Sequence, residues 1–482
     1  MMYISKISMC NFRSFSNKHT IDFNSGINFF VGNNNSGKTT IFKAVEFMQK
    51  GRSKSLWITK GREKEEVYVE ITMTGEDLLE LVQENSLKKY ENYVFEENNT
   101  KNLKLRRDSE RHEWTDSRGK SKLTEIKNIL VWNPIKEEWQ NPSGIDSTIA
   151  SLFDAQFVYS DLKNEDYQDF GKTKIVGKLI NSVTQDFQQS PVFIKLREAH
   201  KAAFGDSGLV RILNDVQGSI ENIMTEQYGE TGVKFNFGLP ELDNFFKTGQ
   251  ILLLDNGVET EVSEKGTGMQ RALAMALIQL YANSNQVDRG GAKPILFFID
   301  EPETFLHPSA QDKLIESLKK ISKMSQVFVT THSPYLLKHF NKENNQINIF
   351  SRHDERISAN KELDLLPSSP TWGEINYIAF GMASIEFHNE LYAYLQIISG
   401  QKSITKFEDW LKESEQFVAN KMYNSSQDWQ CGKKTLPTYI RSLIDHPENA
   451  PLNDNYTIIE MKDSIEMLIK SIKKHKTGGG RL

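Results

Sequence analysis

Gly32-Asn33-Asn34-Asn35-Ser36-Gly37-Lys38-Thr39-Thr40 follows the apolar run Phe29-Phe30-Val31 and leads into Ile41-Phe42-Lys43-Ala44-Val45-Glu46-Phe47-Met48. The spacing is GxxxxGK[ST], placed after a continuously apolar strand and before a run with helical periodicity, which is the setting that gives the pattern meaning. Glycine at both ends of the loop lets backbone amides turn inward around phosphate oxygens, and the helix start adds positive potential. Lys38 is then placed to reach terminal phosphates, and the Thr39 hydroxyl to ligate Mg²⁺.

Two further apolar runs complete the core. Pro294-Ile295-Leu296-Phe297-Phe298-Ile299-Asp300 and Gln326-Val327-Phe328-Val329-Thr330-Thr331 read as strands buried on both faces, with a helix (KLIESLKKIS, 313–322) between them. That β-α-β succession requires a parallel, helix-covered sheet, so the fold class is α/β. Ligands of such sheets gather at the carboxyl ends of the strands. Asp300 at one end suits Mg²⁺, Glu301 beside it suits polarising a water or opening the next helix, and His332 at the other suits a hydrogen bond to a terminal phosphate or that water.

At 482 residues the chain exceeds about three times the ~150-residue domain prior, so units beyond one core are expected. Residues 50–150 read as a strand-rich lobe. Within it, residues 101–122 carry eight Lys/Arg against four Asp/Glu, read as a solvated loop or as a phosphate-contacting loop with Trp114 for stacking. Residues 174–228 read as a short helical insertion, because Pro191, Gly205 and Gly208 forbid a long coiled coil. Asn256-Gly257 predicts a tight hairpin and Met269–Tyr281 a helix. A boundary is expected at 345–365, leaving 346–482 as a mostly helical C-terminal domain.

Lys and Arg total 59 against 64 Asp and Glu, a net charge of −5, so nucleic-acid contact, while possible, would be local. Cys10 and Cys431 form neither a CxxC nor a His/Cys cluster, which fits a reducing compartment. With no apolar run near the ~20 residues of a membrane helix and no leader pattern, a cytoplasmic protein without membrane association is expected.

Five blocks in order, Asn11–Phe15 (NFRSF), the loop Gly32–Thr40, Gly266–Arg271 (GTGMQR), Ile299–Pro308 (IDEPETFLHP) and Thr331–Pro334 (THSP), resemble the ABC-type ATPases of the SMC/RecF and OLD (AAA15/AAA21) group. The resemblance spans about residues 1–345 and implies an ABC ATPase-like P-loop NTPase head using ATP and Mg²⁺. It implies a homodimer or higher homo-oligomer through the heads, in which ATP on Gly32–Thr40 of one copy is capped by Gly266, Thr267 and Gly268 of another. Gly266 stands where many ABC proteins carry a signature serine. Gln156 precedes the FVYSDL strand instead of following it, so a glutamine of the Q-loop type is unassigned.

In the C-terminal domain Arg441 and His446 are similar to the RxxxxH of HEPN ribonucleases, in which arginine fixes a phosphate and histidine acts as acid or base. The alternative is a structural helix end followed by a polar turn. The whole chain resembles the ATPase subunits of two-gene anti-phage systems of the PARIS kind, with Septu-type ATPases as a second group. This implies a nearby-encoded effector nuclease of the Toprim kind and a phage-protein trigger. Two other functions remain open, a self-contained ATPase-gated ribonuclease and a DNA-maintenance ATPase of the SMC/RecF kind.

Overall fold

The computed structural model describes residues 2–32, 35–51, 53–83, 87–115, 119–159, 176–177, 187, 189–205, 208–229, 232–235, 237, 251–255, 257–284, 293–304, 306–338, 340–353, 356–360, 364–426 and 431–477. Chain contacts divide it into one unit of Met1–Val158, Lys293–Thr304 and Pro308–Leu482, and a second of Tyr159–Ala292 with Phe305–His307.

The first unit is organised by the expected sheet, whose strands run in the order Asp154–Val158, Ile295–Asp300, Gln326–Thr331, Ile27–Gly32, Gln346–His353, Arg356–Asn360. All pairings are parallel except the last, which is an antiparallel hairpin. Ile27–Gly32, Ile295–Asp300 and Gln326–Thr331 are buried at every position, as their unbroken apolar patterns require. Phe298 and Phe328 stack at 4.6 Å across neighbouring strands, and Phe42 of the helix Thr40–Lys50 meets Phe298 edge-on at 5.3 Å. The register sets Asp300 beside Thr330, Thr331 beside Val31, and Gly32 beside Phe350. Three carboxyl strand ends therefore lie in one row.

Gly32 is obligatory for that row. Its φ is +139°, and a Cβ there would lie 2.1 Å from the Phe350 carbonyl oxygen. Because Gln346–His353 pairs directly with the strand ending in Gly32, residues 346–360 belong to the head sheet and not to the C-terminal domain expected from 346, which leaves only the far end of the expected 345–365 boundary. Alternation in that hairpin is visible in sequence, but its partner lies more than 300 residues away.

A second, antiparallel sheet is ordered Glu138–Gln140, Leu130–Asn133, Thr100–Asp108, Tyr68–Thr74, Tyr3–Cys10, His19–Asp22. The strand-rich stretch 50–150 thus also takes in the first two strands of the chain. Gln326 joins the two sheets, accepting from Ile4 N–H through Oε1 and donating to Ile4 C=O through Nε2, both at 2.8 Å. Both readings of 101–122 fail for its first part, while Glu110, Arg111, Glu113, Thr115, Lys120 and Ser121 are exposed, as the solvated reading expects. Thr100–Asp108 is an inner strand, and Arg107 is buried, its guanidinium donating to the Met48, Gly51 and Ile126 carbonyls at 2.7 to 3.2 Å. Arginine here terminates the helix Thr40–Lys50 by satisfying its orphan carbonyls. Arg106 pairs with Asp108 at 2.5 Å over the Tyr68 ring, and Trp114 is only 9% exposed, so it offers no open face for base stacking.

Beyond residue 364 the first unit is mostly helical, with helices Trp372–Phe380, Ile385–Ser399, Ile404–Glu413, Leu436–Asp445 and Ile458–Thr477. Thr371, Ser384 and Ser403 cap three of these with side-chain oxygens. Phe387, Leu391 and Leu395, spaced by four, share a core with Phe407, Tyr423, Ile440, Ile465 and Leu468. His388 is buried in the same region, its Nε2 2.9 Å from Ser464 Oγ. Burial first, and the Arg441 charge with it, hold its pKa down to about 4 from 6.5. A depressed pKa gives stability that is complete above the unfolded value and is lost as pH falls from 6.5 towards 4, on the order of 3 kcal/mol in all at ~1.4 per unit. Urea midpoints at pH 7.5 and 4.5 check this: wild type loses distinctly more stability on acidification than His388→Gln, and equal losses would contradict it.

The second unit holds the helices Pro191–Phe204, Leu209–Ile212 and Asn214–Tyr228, the first capped by Ser190 and opened by Pro191. Most of the expected helical stretch 174–190 lies outside the described residues. Leu252–Asp255 pairs antiparallel with Val258–Glu261, Gly257 at φ +81° forming the predicted tight turn; Asn256 lies outside the described residues. The helix expected at Met269–Tyr281 spans Thr267–Ser284. No described helix is long and apolar enough to cross a membrane.

Candidate active site

The glycine-rich loop leaves the strand at Gly32 and enters the helix at Thr40. Asn35 (φ +61°) and Gly37 (φ +91°) take left-handed backbone conformations, the kind that lets neighbouring amides face one anion. Asn33 and Asn34 lie outside the described residues. Asn35, Ser36, Gly37, Lys38, Thr39 and Thr40 line a cleft of about 340 Å³ together with Glu301 and His332. Residues separated by nearly 300 positions in sequence therefore share one cavity.

Lys38 is 6% exposed, and its Nζ donates to the Gly32 carbonyl at 3.0 Å. Desolvation brings its pKa down to about 8 against the opposing pull of Glu301, Asp300 and Glu303. A desolvated ammonium at the head of an amide cradle is what a polyphosphate would neutralise, so the residues fit ATP. Thr39 Oγ1 donates to Asp300 Oδ1 at 3.2 Å, and Thr330 Oγ1 donates to the same oxygen at 2.5 Å. A hydroxyl and a carboxylate are the hard oxygen donors that Mg²⁺ takes, so Thr39 and Asp300 fit that ion.

Glu301 does not open the next helix, which begins at Pro308. It has φ +45°, and its N–H donates to the Thr330 carbonyl and hydroxyl, so the backbone turns sharply as it leaves the strand. Its Oε1 lies 3.3 Å from His332 Nε2. Burial, then the Lys38 charge, lower the His332 pKa from 6.5, which keeps the imidazole neutral at physiological pH and able to donate one proton. The cleft thus presents a carboxylate acceptor and a neutral imidazole donor opposite a buried ammonium.

The structure also places residues that sequence reasoning assigned no role. Arg13 and Ser14 of the NFRSF block and Lys43 line the cleft, with Ser14 Oγ 3.3 Å from Thr40 Oγ1. Their signal lay in the quoted block, but the left-handed backbone at Asn11 (φ +52°) and Arg13 (φ +49°) that shapes it does not follow from residue type. Gln156 lies within the strand Asp154–Val158, not before it, and its Nε2 donates to Asp154 Oδ1 at 2.7 Å. Gly266, Thr267 and Gly268 sit in the second unit at the start of the helix Thr267–Ser284, with open space where a Gly266 Cβ would lie. Arg441 and His446 are not brought onto a shared group. The Arg441 Nε pairs with Asp445 at 2.8 Å and the His446 Nδ1 with Glu448 at 3.1 Å, which suits the end of the helix Leu436–Asp445.

A family profile described as "AAA domain, putative AbiEii toxin, Type IV TA system" matches residues 27–338, from the first strand of the site to the turn after His332. The chain belongs to this AAA-domain family. As such it is an ABC-type ATPase of the SMC/RecF/OLD group, as the five blocks imply. The Old nuclease of Escherichia phage P2 is 28% identical to this ATPase over 356 residues, covering 69% of this chain and 57% of that protein. The ATPase therefore spans little more than half the length of that relative. RecF of Francisella tularensis subsp. novicida is 46% identical over 52 residues, 11% of this chain and 15% of RecF. Among solved structures, an SMC head bound to the C-winged helix domain of ScpA aligns at 17% identity and a TM-score of 0.44, covering 74% of this chain and 97% of that one.

Proposed function

We propose that the ATPase is a nucleotide-driven switch and scaffold that responds to a phage trigger and controls a partner nuclease of the Toprim type in anti-phage defence. The observation that carries the chemistry is the 3.3 Å approach of Glu301 to His332 at the mouth of the Lys38 cleft. Lys38 and the loop amides hold the β- and γ-phosphates in place, which is most of what phosphoryl transfer asks of a protein. Thr39 and Asp300 would hold Mg²⁺, and that ion when bound would supply neutralisation of charge developing on the phosphate oxygens. Glu301 orients the attacking water and takes its proton, while the neutral His332 donates to the γ-phosphate or to the water. ADP and inorganic phosphate leave.

In this reading a second copy supplies Gly266, Thr267 and Gly268 over the γ-phosphate, where glycine amides can approach without side-chain obstruction. ATP then closes two heads and hydrolysis separates them, so an attached effector is held in one state and released in the other. The defence setting draws on the toxin–antitoxin wording of the family and on the phage-encoded Old nuclease, which joins a nuclease name to this kind of head.

Co-expression with the products of adjoining genes tests the switch. Pull-down on the tagged chain is expected to retain one nuclease whose retention changes at least fivefold between ATP and ADP. Equal retention in both, or cleavage of nucleic acid by the isolated chain that His446→Ala abolishes, would contradict it.

A further inference from the structure

We infer that Glu303 is a positioning residue for hydrolysis, whose carboxyl fixes the backbone from which His332 faces Glu301. The inference rests on the ATPase reading above and deepens it by adding a residue behind the reacting groups.

The chain leaves the central strand at Asp300, reverses through a turn closed by Thr304 N–H on the Glu301 carbonyl at 3.1 Å, and brings Glu303 back beneath the neighbouring strand end. There Glu303 Oε1 accepts two hydrogen bonds, from Thr331 Oγ1 at 2.6 Å and from the His332 backbone N–H at 2.9 Å. Thr331 Oγ1 in turn accepts Ser333 N–H at 2.9 Å. Three consecutive residues, with His332 in the middle, thus hang from one carboxyl oxygen. Glu301 and Glu303, two residues apart on one turn, grip His332 from opposite ends: the first at its ring, the second at its backbone.

Packing alone does not account for this residue. Glu303 is 8% exposed, and its Oε2 is buried and makes no hydrogen bond among the described residues. Burying an acid with one oxygen unsatisfied costs stability that an apolar side chain would not. Desolvation, joined by the Glu301 charge, raises its pKa, which favours the uncharged acid and moderates that cost. Such a group at the edge of a reaction cleft is where a fold gives up stability for a fixed geometry. An imidazole displaced by even 1 Å loses alignment with water and phosphate, and misplacement on that scale costs up to about a hundredfold.

Steady-state ATP turnover and nucleotide binding in single and double variants test the inference. Glu303→Ala is expected to lower kcat about 30-fold with KM for ATP within threefold of wild type. Because Glu303 acts through His332, the same substitution in a His332→Ala background is expected to cost less than threefold further. Glu303→Gln keeps an acceptor oxygen for Thr331 and His332 N–H and is expected to recover to within about fivefold of wild type. If Glu303→Ala does not fold, Thr331→Val removes one of the two bonds and is expected to lower kcat about fivefold. A kcat for Glu303→Ala within twofold of wild type, full multiplicative loss in the His332→Ala background, or KM rising in parallel with the fall in kcat would overturn the inference. Absence of turnover in wild type itself would instead overturn the ATPase reading.

Discussion

Glu301→Gln lowers ATP turnover by at least about a hundredfold while ATP binding stays within a few-fold of wild type, and the ATP-bound protein runs at twice the chain mass. The substitution keeps the shape of the side chain and an oxygen facing His332 Nε2, so the cleft keeps its form. It removes the negative charge and the basicity that orient water and accept its proton, contributions worth about two to four orders of magnitude for a positioned base. Binding is carried by other groups, Lys38, the loop amides and the Thr39–Asp300 pair, none of which the substitution touches. Heads that bind but cannot hydrolyse accumulate in the closed state. Phosphate release, fluorescent-nucleotide titration and light scattering read the three quantities. Turnover near wild type would remove Glu301 as the base, and a monomeric ATP complex would remove the trans-capping by Gly266, Thr267 and Gly268.

Lys38→Ala weakens ATP binding by at least about a hundredfold and abolishes turnover, yet leaves the melting temperature unchanged or raised. The ammonium is nearly inaccessible, and desolvation already brings its pKa down to about 8. Charge-assisted hydrogen bonds to phosphate are worth about 1.5–3 kcal/mol each, and more than one is lost. The folded protein without nucleotide, by contrast, carries the cost of burying that cation against the Gly32 carbonyl, and alanine relieves it. Opposite signs for ligand affinity and fold stability distinguish a binding residue from a structural one. A fall of several degrees in melting temperature with affinity retained would reverse the assignment.

The nucleotide half of the site was legible because its signals are local. Gly32 to Thr40, the buried strands and the carboxylates at their ends each declare themselves within ten residues, and the parallel pairing of Ile295–Asp300 with Gln326–Thr331 follows from their β-α-β succession. What escaped depends on distant partners. Arg107 looked like part of a charged surface run because nothing in its neighbours shows that the end of the helix Thr40–Lys50, about sixty positions away, supplies two carbonyls, those of Met48 and Gly51. Residues 346–360 looked like the start of a new domain because a hairpin pattern does not name the strand it joins. Glu303 resembled any second acid in an acidic turn; its role appears only once the left-handed backbone at Glu301 swings the turn beneath His332. The Arg441/His446 pair shows the converse: a two-residue pattern was readable, but each side chain finds its own carboxylate within four residues.

The central claim is that this cleft hydrolyses ATP with Mg²⁺ held by Thr39 and Asp300 and phosphate held by Lys38. Its most direct test is steady-state phosphate release by the purified chain, measured with Mg²⁺, with EDTA, and with Lys38→Ala. The account predicts turnover with Mg²⁺ that falls to background under chelation and in the variant. Phosphate release that persists unchanged in Lys38→Ala, or none from the wild-type chain with Mg²⁺ and ATP, would contradict it.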